Sequence, residues 1–309
     1  MSSDARPAIA AEGTSEMPWL REVVARSANL VDLARAEGLI WGGDAPPTEL
    51  LDLLDRHRNI RWIQLPWAGV EPYLPVIRAN DARVWTCGKG AYARPVAELA
   101  LALAIACLRR VPQYARARQW ERLEAVGHLS GSRVVLVGGG GIATELVTLL
   151  APFDLDITVV RRSGAHLPGA DRVVGTSDLR CALIDAHVAI IALPSTPSTV
   201  GIIDREAMDL LGPTGVLVNV GRGSHVVTGD LVDALSAGTL GGAALDVTDP
   251  EPLPPEHRLW SLPTCIVTPH IANDDITTPP LLAARITENL RRFASGERLL
   301  GQVDPQAGY

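Results

Sequence analysis

The sequence predicts a two-domain α/β chain whose larger part is a doubly wound parallel sheet. Three observations lead there. The chain has 309 residues, roughly twice the ~150 of an ordinary domain. From Arg133 onward, short apolar runs recur with gaps long enough for crossover helices. The first of those runs ends in a glycine cluster that opens a helical segment.

Composition limits the function classes. Hydrophobic residues make up 47% of the chain and charged residues 20%, which supplies packed cores and argues against disorder throughout. A net charge of -7 leaves no basic surplus to neutralise phosphates, so no nucleic-acid partner is expected. Cys87, Cys107, Cys181 and Cys265 are far apart and form no CxxC pair. They read as small buried hydrophobes in a reducing compartment, with no metal site. The N-terminal stretch lacks an apolar core of signal-peptide length, and the longest apolar run, Val96 to Leu108, contains Glu98 and is too short for a bilayer. A cytoplasmic protein without a membrane partner is the expectation.

The first hundred residues suggest strands at Ala8–Ala11, Leu39–Trp41, Arg61–Leu65 and Arg83–Thr86, with helices at Trp19–Arg26 and Thr48–Arg56. This is a small α/β unit. The segment Pro95–Arg118 is apolar nearly all round, as in a helix buried between domains or subunits. Beyond it, VVLVG (134–138), ITVV (157–160), RVV (172–174), VAIIAL (188–193), GVLVNV (215–220), AALDV (243–247) and CIVT (265–268) are near-continuous apolar runs. Strands of that kind belong in a parallel sheet covered on both faces. Helices are expected at Ile142–Leu150, Arg205–Leu211 and Thr228–Ala237. Pro279–Ser295 carries apolar residues at helical spacing and is expected to return to the first unit. The expected domains are 1–94 with 276–309, binding substrate, and 95–275, binding a dinucleotide.

Gly138-x-Gly140-x-x-Ala143 follows a strand and precedes a helix. Gly138 would allow the tight turn, Gly140 the close approach of a pyrophosphate, and Ala143 the packing of helix on strand. Gly141 and Ile142 then open the helix, whose free N–H groups suit phosphate oxygens. This is the Rossmann-type fingerprint. After the second strand, where an NAD site carries an acidic residue, the chain has Arg161, Arg162 and Ser163. Two guanidiniums and a hydroxyl suit a 2′-phosphate, so NADP(H) is favoured over NAD(H). The plain alternative is a solvated basic turn.

Three further residues sit past the predicted C-terminal ends of strands, where open α/β sheets bind ligands: Arg222, Glu251 and His270. Each has a dull reading as a loop or turn residue. Together they suit hydride transfer to a 2-keto acid. His270 would give a proton to the carbonyl oxygen, Glu251 would orient the imidazole, and Arg222 would hold the carboxylate. The spacings 251 − 222 = 29 and 270 − 251 = 19 allow one crossover unit each. The other six histidines lack this context: His187 precedes an apolar strand, and His57, His128, His166, His225 and His257 sit in polar surroundings.

The blocks GGGGIA (138–143), NVGRG (219–223), LDVTDPEPLP (245–254) and TPHIA (268–272) resemble the signature blocks of the D-isomer-specific 2-hydroxyacid dehydrogenases. Leu129-Ser-Gly-Ser-Arg, Val96-Ala97-Glu98 and Trp67-Ala-Gly-Val70 fit as well. The closing GQVDPQAGY and the segment RRSGAHLPGA are similar to those of glyoxylate/hydroxypyruvate reductases. The resemblance implies a smaller flavodoxin-like α/β substrate domain beside the Rossmann-type sheet. It implies substrate binding by Arg222, orientation by Glu251 and acid/base work by His270. It also implies carboxylate binding by backbone N–H groups of Ala68, Gly69 and Val70. Pro194, Ser195 and Thr196 would border the cofactor, with Val220 and Asp246 near it, Asp246 by the nicotinamide. A homodimer through the dinucleotide-binding domain is implied, with a small 2-keto or 2-hydroxy acid as substrate. The chain departs from the pattern at Trp67, where a small polar residue is usual, and at Asn273-Asp274-Asp275, where Gly often follows HIA. A dinucleotide-sensing, corepressor-like binding protein is the alternative.

Overall fold

The structure is a computed structural model and describes residues 6–43, 45–120, 122–123, 127–274 and 276–309. The chain divides into two compact units, residues 1–92 with 274–309, and residues 93–273.

The first unit runs β1 (Ala8–Glu12), α1 (Trp19–Ser27), β2 (Asn29–Leu30), β3 (Gly38–Trp41), α2 (Pro47–Arg56), β4 (Trp62–Gln64), α3 (Leu74–Ala79) and β5 (Val84–Thr86). Its five strands are all parallel in the order β2-β1-β3-β4-β5, the flavodoxin-like order. The helices cover the strands because their apolar residues fall on one side. In α2, for example, Leu50 and Leu54 are one turn apart and both fully buried against Leu39, Ile63 and Trp85. The two-residue β2 and the single-turn helices went unforeseen, since neither is long enough to show a period.

The second unit runs α4 (Ala93–Leu108), α5 (Val111–Arg116), β6 (Arg133–Val137), α6 (Gly141–Leu150), β7 (Asp156–Val160), β8 (Arg172–Val174), α7 (Leu179–Leu183), β9 (Val188–Ile191), α8 (Arg205–Leu211), β10 (Val216–Asn219), α9 (Thr228–Ala237), β11 (Gly242–Leu245) and β12 (Cys265–Val267). Seven parallel strands lie in the order β12-β11-β10-β9-β6-β7-β8. The chain winds outward in one direction through β6, β7 and β8. It then returns to the middle and winds the other way from β9. The adjacent strands β6 and β9 mark the switch point, the place where such sheets bind ligands. The expected α/β fold class is what the chain adopts.

Three local expectations need correcting. The apolar stretch from Pro95 is two helices, broken at Arg110, which has φ 56°, with Pro112 in the first turn of the second. Within its own unit α4 packs against α6, β10 and β11. The connection from β11 to β12 contains no α-helix among the described residues, only a 3-10 turn at Arg258–Trp260. Prolines at 250, 252, 254, 255 and 263 explain why: each removes an N–H and restricts the residue before it. Cys181, expected to be buried, is exposed, because α7 buries Leu179 and Leu183 and turns the cysteine outward.

The first unit is completed by α10 (Thr278–Ser295), which packs on α1 with Leu282, Ile286 and Leu290 fully buried. A buried polar network ties this helix to the sheet. Asn289 Nδ2 donates to Gln64 Oε1 at 2.9 Å, Thr86 Oγ1 donates to the same oxygen at 2.8 Å, and Trp62 Nε1 donates to Thr86 Oγ1 at 2.8 Å. The closing residues lie along β5, where Val303 N–H donates to Trp85 O and Cys87 N–H to Gly301 O.

Candidate active site

All the residues expected to act in the second unit follow the C-terminal ends of its strands, in spatial sequence along one sheet edge. His270 follows β12, Asp246 and Glu251 follow β11, and Val220 and Arg222 follow β10. Pro194 and Thr196 follow β9, Gly138 to Ile142 follow β6, and Arg161 to Ser163 follow β7. A parallel sheet delivers every such loop to the same edge, which is why residues from Gly138 to His270 line one edge.

The glycine loop is shaped by close approach. Gly138 has φ 121°, and a Cβ there would lie 2.3 Å from the carbonyl oxygen of Ala192. Gly140 differs: a Cβ there would meet nothing within 4 Å. Its side is open, directly before the first turn of α6, whose N-cap position makes no side-chain hydrogen bond. Uncapped N–H groups beside an open backbone surface fit a pyrophosphate. Ala143 is buried against the unit's interior.

Arg161 lies over this loop. A Cβ at Gly139 would strike its Cδ at 2.6 Å, so the stem of the arginine covers the glycine backbone while its N–H donates to Val174 O. Arg162 and Ser163 are exposed. Asp156 stands at the opposite end of β7 and pairs with Arg172 at 2.9 Å. The tip of β7 is thus positive and hydroxylic.

At the other end of the edge, His270 Nδ1 and Glu251 Oε1 are 2.7 Å apart. Both side chains are a little under half exposed, at 47% and 43%, so the pair is open to small molecules. Glu251 Oε2 accepts from the backbone N–H of Thr248 at 3.3 Å, which holds the carboxylate from behind. His270 itself has φ 54°, and its N–H donates to Asp246 O. The loop that carries it is pinned by Asp246, which is 2% exposed. That carboxylate accepts from Thr268 Oγ1 at 2.7 Å, Ile271 N–H at 2.9 Å and Ala272 N–H at 3.1 Å. Asp246 therefore shapes the loop bearing the imidazole, a task nothing in its sequence context indicated.

Arg222 stands between two glycines that the packing requires. A Cβ at Gly223 would lie 1.9 Å from Thr248 O, so the Arg222 loop presses on the loop leading to Glu251. Two fully buried side chains grip the backbone of Arg222 itself. Asn219 Nδ2 donates to its carbonyl at 2.8 Å, and its N–H donates to His225 Nδ1 at 3.1 Å. His225 is thus not in polar surroundings at all; it is 0% exposed and part of the site's foundation. The signal available in sequence was its place three residues past Arg222, at the start of an apolar segment.

In the first unit, Ala68, Gly69 and Val70 follow β4; Ala68 is exposed and Val70 buried. Trp67 is 42% exposed, with its ring across Gly43 and stacked on Tyr73 at 6.5 Å between centroids. Asp274 accepts from Ile276 N–H and Thr277 N–H, and these bonds hold its carboxyl below the usual carboxylate range. Asp275 lies outside the described residues. Among the described residues, no group of three or more His, Cys, Asp and Glu could hold a metal ion, and no helix is long and apolar enough to cross a membrane.

Residues 99–272 match the sequence profile described as D-isomer specific 2-hydroxyacid dehydrogenase, NAD binding domain. An uncharacterized protein of Corynebacterium melassecola, from the proB 3′ region, is 35% identical over 283 residues, which is 90% of this chain and 91% of that one. Among solved structures, a D-isomer specific 2-hydroxyacid dehydrogenase from Xanthobacter autotrophicus, in complex with NADPH and MES, is similar with a TM-score of 0.83 and 25% identity. That match covers 99% of this chain and all of the other. An NADPH-dependent glyoxylate/hydroxypyruvate reductase from Sinorhizobium meliloti, in complex with NADP and sulfate, matches with a TM-score of 0.80 and 25% identity, over 98% of this chain and all of that one.

Proposed function

The chain belongs to the D-isomer specific 2-hydroxyacid dehydrogenase family, and from that premise we propose that it reduces a small 2-keto acid of the glyoxylate or hydroxypyruvate type to the D-2-hydroxy acid with NADPH. The observation that carries this reading is the 2.7 Å His270–Glu251 pair on the same sheet edge as the open Gly140 backbone.

When bound, the reduced nicotinamide supplies a hydride to the carbonyl carbon. The chain's own groups do the rest. His270 Nε2 donates a proton to the carbonyl oxygen, so hydride and proton together make the new alcohol. Glu251 holds Nδ1 and balances the imidazolium charge before the transfer. Arg222 binds the substrate carboxylate and draws electron density toward the carbonyl oxygen. The N–H groups of Ala68, Gly69 and Val70 take part of the same carboxylate.

The N–H groups at the start of α6, with Gly138 and Gly140 below them, hold the pyrophosphate; Gly141 and Ile142 form the first turn. Pro194, Thr196, Val220 and Asp246 border the nicotinamide half. Arg161, Arg162 and Ser163 receive the 2′-phosphate, since a guanidinium bonds phosphate through two donors. The reading is therefore NADP(H) over NAD(H). A homodimer formed through the second unit is part of the same reading. Its support is the apolar surface at α5 and β12, where Val111, Tyr114 and Trp260 are exposed beside a groove lined by Pro112, Leu259 and Val267. Trp120 is 98% exposed in the same unit.

A spectrophotometric screen of 2-keto acids against NADPH and NADH tests the function. Turnover of glyoxylate or hydroxypyruvate with NADPH is expected, and turnover of neither overturns the substrate assignment. Replacing Arg161 and Arg162 together by alanine should lower the NADPH to NADH ratio of kcat/KM; an unchanged ratio removes them from the cofactor site. Sedimentation analysis should return twice the chain mass.

A further inference from the structure

We propose that His225 is a positioning residue that fixes the backbone of Arg222 through one ring nitrogen and the loop of Pro194 and Thr196 through the other. The inference rests on the roles just given to those residues and adds one none of them has: a single buried brace with a separate bond to the substrate end and to the cofactor end of the site.

The geometry is specific. His225 Nδ1 stands 3.1 Å from the Arg222 N–H, and Nε2 stands 3.2 Å from the carbonyl oxygen of Pro194. A backbone N–H donates, so Nδ1 accepts and carries no proton. A carbonyl accepts, so Nε2 donates. Only the neutral tautomer protonated at Nε2 makes both bonds. A proton on Nδ1 would set two N–H groups head to head at a fully buried ring.

The segment around His225 is stitched to the β9 loop at further points. Gly201 N–H donates to Ser224 O at 2.8 Å, Ile203 N–H donates to His225 O at 2.9 Å, and the Ser195 and Ser224 hydroxyls are 3.4 Å apart. Pro194 O also accepts from Thr199 Oγ1 at 2.9 Å, so it is itself a fixed point. Gly221 leaves room for the ring, since a Cβ there would sit 3.0 Å from Nδ1. A buried histidine serving only as core packing would need no such partners on two functional loops.

Asparagine and glutamine separate the two bonds. An asparagine amide reaches where Nδ1 stands and can accept from Arg222 N–H; a glutamine amide reaches where Nε2 stands and can donate to Pro194 O. The test uses the full chain as wild type, His225→Asn and His225→Gln, each checked by thermal unfolding. NADPH affinity is read by fluorescence titration. The substrate end is read as the glyoxylate KM and, without turnover, as the affinity for oxamate in the presence of NADPH.

His225→Asn should keep oxamate affinity and KM near wild type while NADPH binds more weakly. His225→Gln should keep NADPH affinity while KM rises about tenfold, the scale of one lost hydrogen bond. Equal effects of both variants on both ligands, or no effect of either, overturn the proposal. Where neither variant folds, the wild-type imidazole signal decides. Among the described residues His225 is the one buried histidine. In protein labelled with 15N-histidine, one solvent-protected Nε2–H with an unprotonated Nδ1 is expected; a protected ring protonated at Nδ1 overturns the proposal. A wild type that neither turns over glyoxylate nor binds oxamate defeats the substrate reading instead, and the role of His225 is then judged on NADPH affinity and the imidazole signal.

Discussion

In the first unit the fully buried polar side chains Gln64 and Thr86 end β4 and β5, Asn289 lies in α10, and their side-chain bonds join those strands to the helix. In the second unit Asn219, His225 and Asp246, equally removed from water, lie at or just past strand ends, and their bonds go to loop backbones. Both groups satisfy the same requirement, that a buried donor or acceptor find a partner. What differs is the object held. The first network fastens a chain segment that returns from far along the sequence. The second fastens the peptide groups that carry Arg222 and His270. Position along the sheet does not separate the two groups, since Gln64, Thr86 and Asn219 alike end their strands; the object each network holds does.

That contrast can be broken by substitution. The largest effect is expected at His270. His270→Ala should lower kcat about 10²- to 10⁴-fold, or roughly 3–5 kcal/mol of barrier, with NADPH affinity unchanged. Retained turnover would remove the imidazole from the chemistry. Next comes the scaffold network. Asn289→Leu removes one of the two donors to the Gln64 side-chain carbonyl and takes the side-chain partner from both the carbonyl and the N–H of Leu300. A loss of about 1–3 kcal/mol of unfolding free energy is expected in denaturant titration, while NADPH affinity of the folded protein stays at the wild-type value. Weakened NADPH binding would show that the two networks do not divide as described.

The smallest effect belongs to a pair in neither network. Asp204 caps α8 by accepting from Ala207 N–H and bonds Arg180 through both oxygens at 2.7 Å. Arg180 holds its carboxyl below the usual carboxylate range. A lowered folded-state pKa means that the stabilisation is present above the unfolded value near ~3.9 and fades as pH falls through the folded one. Both side chains are more than a third exposed, so the pair is worth only about 0.2–1 kcal/mol. Asp204→Asn keeps a capping oxygen and should cost about that much at neutral pH, with the difference closing as pH falls through the lowered carboxyl pKa. A gap between the two proteins that stays constant with pH would contradict the pairing.

Much of the molecule was legible because the deciding physics is local. Strand runs such as VVLVG and VAIIAL declare a covered parallel sheet by lacking polar alternation, and Gly138 to Ala143 declare a turn into a helix. The roles of Asp246 and His225 were illegible for the opposite reason. A polar side chain reveals nothing about its partner until the partner arrives, and here the partners are backbone groups on other loops. The missing helix between β11 and β12 was legible in principle, since five prolines stand in a connection whose length alone would admit one.

The order of residues along the chain determined by itself where strands and helices form and which strand ends carry glycine, arginine, carboxylate and imidazole, since periodicity and backbone freedom act within a few positions. Only the folded sheet decided that Glu251 meets His270 and that a buried histidine spans two loops. Contacts of that kind depend on strand order and on the exclusion of water, and neither is a property of any short stretch of chain.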